Sequence, residues 1–209
     1  MDDLYHPPDV ARASESWGAN CGPAALAAAC GLALCDVFEA VSDPPPAGSL
    51  SFVGRRFRGY MSIRQMREAV RSMGGHVADV LHNVSPKDFA ERFPARWPDD
   101  RVLACVLWGG PWVGTRGEAV HRHWVALRMA DPAGEGTGLW VYDVNAMHRV
   151  IERTYHGTES PPRWSEAMVV RDGGWLKWRR WQDVIPPQLM PKRGDGTFTI
   201  QWAGAVRAR

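Results

Sequence analysis

No apolar run in this sequence approaches the about 20 residues that cross a membrane. Its first residues, Met-Asp-Asp-Leu-Tyr-His-Pro-Pro, lack the basic-then-apolar pattern of a secretory signal. Both absences predict a protein made in the cytoplasm, with export lacking a cleaved signal, or association with a particle, left open. A surplus of charge is also missing: 25 Lys and Arg face 23 Asp and Glu, for a formal net charge of +2. A balance this even steers a chain neither to nucleic acid nor to a membrane, and neither is expected as a partner. Lysine is scarce, with Lys87, Lys177 and Lys192 alone among the basic residues. No internal repeat or low-complexity segment is evident. The four cysteines have no secretory context, which predicts thiols in a reducing compartment. Cys30 and Cys35 lack the second Cys or His pair of a zinc site, so no metal is expected, and no other cofactor.

What is present is sufficient for one domain with its own core: 209 residues, 45% apolar, with 11 Trp as the compositional outlier. The rest of the chain is organised around Trp17-Gly18-Ala19-Asn20-Cys21-Gly22-Pro23-Ala24-Ala25-Leu26. Pro23 suits a first helical turn, where its missing N–H has no partner to lose. Ala24 to Cys30 favours helix, and Gly31 stops it. Cys21 therefore falls at a helix N-terminus, where unpaired N–H groups and the macrodipole favour thiolate over thiol.

A nucleophilic cysteine needs partners, and they lie downstream. His123 opens the strand-like His-Trp-Val-Ala-Leu, and Asp143 ends the strand-like Leu139-Trp-Val-Tyr-Asp, with Asn145 two residues on. Thiolate attacks an acyl carbon, imidazole moves the proton, and an acid or amide fixes the imidazole tautomer. The chain order Cys, His, then Asp or Asn is that of papain-like thiol enzymes. His121 is the rival to His123, two residues earlier and on the same face if the strand extends back. Asn145 is the rival to Asp143.

Asn20-Cys21-Gly22-Pro23-Ala24-Ala25-Leu26, His123-Trp-Val-Ala-Leu and Val141-Tyr-Asp-Val-Asn together resemble the papain-like cysteine peptidase superfamily, most closely its C39-like, bacteriocin-processing branch. The likeness covers roughly residues 14–148. It implies an α+β fold in which a helix carrying Cys21 packs on an antiparallel sheet carrying His123 and Asp143. It further implies hydrolysis of a peptide or isopeptide bond in a protein or peptide substrate. Relatives carry a Gln six residues before the Cys to bind the oxyanion, and here that position is Glu15. An ionised Glu cannot donate a hydrogen bond. Asn20, Trp17 or backbone N–H groups are then the oxyanion candidates, unless the site does something other than proteolysis. A glutamine deamidase or transglutaminase-like acyl transfer is one alternative. A catalytically inactive binding module of a phage particle or secretion machine is another.

Taken in order, residues 1–13 read as an arm, 14–150 as the catalytic domain and 151–209 as a Trp-rich extension packed on the same domain. A short helix is expected over 35–41. Ser62 and Gln65 form a capping-box pattern ahead of Ile63, Met66, Val70 and Met73 on one helical face, closed by Gly74-Gly75. A strand follows at 76–80, then a helix from Ser85-Pro86 through Phe93. The continuously apolar Arg101–Trp108 reads as a strand buried on both faces. Gly109–Arg122 reads as a loop bordering the substrate, and 123–130 with 138–144 as a hairpin that brings His123 beside Asp143. Further strands are expected at 168–171 and 197–202. Trp175, Trp178 and Trp181, spaced every third residue, offer a surface for a protein partner.

Overall fold

The computed structural model describes residues 21–32, 34–43, 56–57, 61–130, 138–142, 179–181 and 194–208. The expected strand at 168–171, and Trp175 and Trp178, lie outside them. The fold is α+β. Among the described residues helix α1 spans Cys21–Cys30, a 3-10 turn Leu34–Val37 leads into the single-turn α2 (Phe38–Val41), and α3 and α4 span Ile63–Ser72 and Pro86–Arg96. A two-residue pair joins β1 (Ser42–Asp43) to β2 (Arg56–Phe57). The main sheet comprises β3 (Gly75–Val84), β4 (Arg101–Trp108), β5 (Arg122–Ala130), β6 (Gly138–Tyr142), β7 (Arg179–Arg180) and β8 (Phe198–Ala208). Its spatial order is β3-β8-β4-β5-β6-β7, antiparallel at every step.

Helix α1 is buried from Gly22 to Ala29, as a helix apolar all round must be. Its alanines let the sheet approach on one side and α3 on the other; Gly22 lies so close to Met61 that a Cβ there would meet Sδ at 3.2 Å. The C-terminus closes with Gly31 at φ +70° and the Leu32 N–H donating to the Ala27 carbonyl at 3.0 Å, the pattern of a left-handed helix cap. Arg101, first residue of β4, donates from Nη1 to the Ala28 carbonyl at 3.0 Å and satisfies a further orphan acceptor. A Cβ on Gly31 would stand 2.6 Å from that same Nη1. Gly31→Ala therefore combines left-handed strain with displacement of Arg101, and is expected to destabilise the protein by about 2 kcal/mol or more, read as a lower urea midpoint.

The capping box at α3 forms as the sequence indicates, with the Ser62 N–H donating to Gln65 Oε1 at 2.9 Å and the Gln65 N–H to Ser62 Oγ at 3.3 Å. Helix α4 is likewise capped, the Asp88 N–H donating to Ser85 Oγ at 3.1 Å. It runs on past the expected stop at Phe93 through Pro94, because Trp97 locks the last turn: its N–H reaches the Phe93 carbonyl at 2.9 Å, and its ring lies 5.2 Å from Phe93 and 5.9 Å from Phe89.

Strand β4 is flanked on both edges and covered on both faces, hence its unbroken apolar run. Leu103 and Cys105 face α1 together with Trp124, Ala126 and Trp202. Val102, Ala104 and Val106 face the opposite cluster, with Val125, Leu127, Ile200 and α4's Phe89 and Phe93. Strand β8, from the stretch 151–209 read as an extension packed on the same domain, lies between β3 and β4, inside the sheet. It is longer than the expected 197–202, and Arg207 pins its end with ion pairs of 2.7 Å to both Asp79 and Asp100. Trp181, expected as a partner surface, packs inward, 5.8 Å from Phe89 and 6.1 Å from Phe198.

Candidate functional site

One hydrogen bond and one proximity show how α1 lies on the sheet. Arg101, opposite Arg128 in register, holds the helix C-terminus at one end of β4 and β5. Cys21 and Cys105 are within electrostatic reach of each other, and Cys105 pairs with Trp124 at the other end. Helix α1 thus runs alongside β5 with its N-terminus at the end where β5 begins. Cys21 is its first residue, half-buried where the eight residues after it are buried. Trp17 and Asn20, the oxyanion candidates, and Glu15 lie outside the described residues.

His123 is the second residue of β5 and 5% exposed. It pairs with Val106, one row beyond the Cys105–Trp124 pair, so Cys21 and His123 belong to the same end of the sheet. The pleat separates their approach: alternation sets His123 on the face of Val125 and Leu127, whereas Cys21 packs on the face of Trp124 and Ala126. Asp143 and Asn145 lie outside the described residues; Tyr142, before them, pairs with Ala126.

His121 closes a 3-10 turn, Arg116–His121, and its ring stacks on Trp112 at 3.7 Å with the planes 17° apart. Trp112 in turn donates from Nε1 to the Trp108 carbonyl at 2.6 Å. The Gly109–Arg122 segment is accordingly a built structure rather than an open loop: the Gly109 N–H donates to the Thr197 carbonyl at 2.9 Å and the Asp195 N–H to the Gly109 carbonyl at 3.2 Å. Val113 projects from it, 53% exposed.

A polar cluster that sequence reasoning missed lies beside Cys105. Glu118 accepts from the Gly114 N–H at 3.0 Å, from Arg122 Nη2 at 2.9 Å and from Gln201 Nε2 at 3.1 Å. These donors, the Gly114 N–H foremost, hold its carboxyl below the usual range. Cys105 donates from Sγ to Gln201 Oε1 at 3.8 Å. The i,i+4 spacing of Glu118 and Arg122 is a weak sequence signal; Gln201, brought in by the register irregularity of β8 against Cys105 and Val106, leaves none.

The described thiols differ in character, and none is in a disulfide. Burial pushes Cys105 up to about 12, opposed by Arg122. It pushes Cys30 up to about 11, opposed by Arg101. Both are protonated and unreactive at neutral pH. Among the described residues no group of three or more His, Cys, Asp or Glu could hold a metal ion, and no helix is long and apolar enough to cross a membrane. No protein-family model, curated protein or solved structure matches the chain.

Proposed function

We propose that this chain is a papain-like cysteine hydrolase, a peptidase that cuts a peptide or isopeptide bond through a thioester on Cys21. The observation that carries the reading is the contrast among the thiols. Cys30 and Cys105 are held protonated by burial, whereas Cys21 is part-exposed at the first residue of a ten-residue helix. That position favours the thiolate through the helix's unpaired N–H groups. In this reading Cys21 attacks the acyl carbon, and the tetrahedral oxyanion is held by the Cys21 N–H and a neighbouring donor. His123 receives the thiol proton and passes it to the leaving amine, with Asp143 orienting the ring. Water then attacks the thioester, and the thiol is regenerated. Because β5 sets His123 on the face opposite α1, this reading requires the imidazole to reach Cys21 around the end of the sheet.

The test needs no substrate: alkylation of Cys21 by iodoacetamide as a function of pH, followed by mass spectrometry of the Cys21 peptide. Reactivity is expected to persist well below the ordinary thiol value of about 8.5. It should collapse in His123→Ala and survive in His121→Ala, because the His121 ring is committed to Trp112. A Cys21 that titrates as an ordinary thiol, indifferent to both substitutions, removes the basis for an enzyme. If reactivity is confirmed, peptide and glutamine libraries separate backbone cleavage from ammonia release, which share the thioester.

A further inference from the structure

We infer that Arg122, locked in place by Glu118, is the fixed cation that stabilises the Cys21 thiolate; this rests on Cys21 being the nucleophile. Arg122 pairs with Leu107 and shares the α1-facing side of β5 with Trp124, which sets it diagonally across from Cys105. Cys21 and Arg122 are each within electrostatic reach of Cys105 and so converge on it, from the helix and from the strand. The guanidinium cannot swing away. Its Nη2 is tied to a carboxylate that the Gly114 N–H and Gln201 hold as well, so the Gly109–Arg122 segment and β8 together fix one ion pair. That pair is largely withdrawn from solvent, the side chains being 29% and 18% exposed, which limits screening. Arg122 Nε is buried and has no hydrogen-bond partner among the described residues, leaving the guanidinium an unused donor. An anion forming beside it would use that capacity, and a thiolate at Cys21 is such an anion.

Other described charges are poorly placed to do the same. Arg101 stands at the opposite end of α1, and Asp36 of the 3-10 turn is exposed. Arg64, Arg67, Glu68 and Arg71 of α3 all face solvent. His123, the proton acceptor of the proposed function, carries a charge only after it has taken the thiol proton, and Cys105 is protonated. Glu118 is the counterweight: its negative charge offsets part of the cation's influence.

The test is the midpoint pH of Cys21 alkylation by iodoacetamide in the full chain. Removing the cation with Arg122→Gln is expected to raise it by about one pH unit, while Arg122→Lys, which keeps the charge, stays near wild type. Glu118→Gln retains an acceptor oxygen but removes the negative charge, and should lower the midpoint. Opposite shifts from the two members of one ion pair are the signature, since loosening of the structure would move both variants the same way. Shifts in the same direction, or none, overturn the inference. Should Arg122→Gln fail to fold, Glu118→Gln still carries the test through its sign. A wild-type midpoint near about 8.5 defeats the proposed function itself; a low wild-type midpoint with unmoved variants defeats only the role of Arg122.

Discussion

Cys21→Ser is expected to abolish acyl transfer, lowering kcat/KM by about 10⁴-fold or more, with little change in thermal stability. The substitution replaces sulfur by oxygen at a half-buried helix terminus, so packing is nearly conserved. The hydroxyl, however, is almost entirely protonated at neutral pH and cannot be held as an anion by the means that serve a thiolate. The measurement is the mass of the intact protein after exposure to a peptide chloromethyl ketone, together with turnover of a cleaved peptide from the libraries. Wild type should gain one adduct and Cys21→Ser none. Cys30→Ser should behave as wild type, because that thiol is held protonated at the far end of the helix. An adduct that persists in Cys21→Ser would relocate the nucleophile.

Trp124→Ala is expected to carry the largest stability cost, about 3–5 kcal/mol, with about 1 kcal/mol more from the stranded carbonyl of Met61. Trp124 is 2% exposed, meets Trp202 edge-on at 5.8 Å, and donates from Nε1 to the Met61 carbonyl at 2.8 Å. It therefore ties β5 to β8 and to the segment leading into α3. A domain of this kind has a total stability of about 5–15 kcal/mol, so the variant would be marginal at best. Urea unfolding monitored by far-ultraviolet circular dichroism gives the value, and Trp124→Phe should lose a smaller part by keeping a ring without the N–H. A cost under about 1 kcal/mol for Trp124→Ala would mean the site collapses to fill the space, contrary to its close packing.

What could be read from the sequence is what local chemistry decides. Ser62 and Gln65 announce α3 because the capping box closes within four residues, and Gly31 ends α1 because few other residues accept its backbone conformation. Arg101–Trp108 declares burial on both faces through its own composition. Whatever depends on distant pairing was not legible. Nothing in Thr199-Ile-Gln-Trp-Ala says that it lies between β3 and β4. The meeting of Glu118 with Gln201 spans 83 residues and depends on a register irregularity in that strand. The face on which His123 emerges is likewise fixed by its pairing with Val106 rather than by its own neighbours. Helix α4 passed its expected stop because the packing of Trp97 outweighs the missing N–H of Pro94.

The position of β8 also sets a clock. In synthesis β3 and β4 leave the ribosome with no strand between them, and they stay apart until Phe198–Ala208 arrives to bond both. Pairing over so long a separation is slow to form. Until it forms, Gln201 is absent from Glu118, Trp202 from Trp124, and the floor beneath α1 is incomplete. A chain without β8 in place would therefore carry Cys21 without its surroundings, with no more than the reactivity of an ordinary thiol.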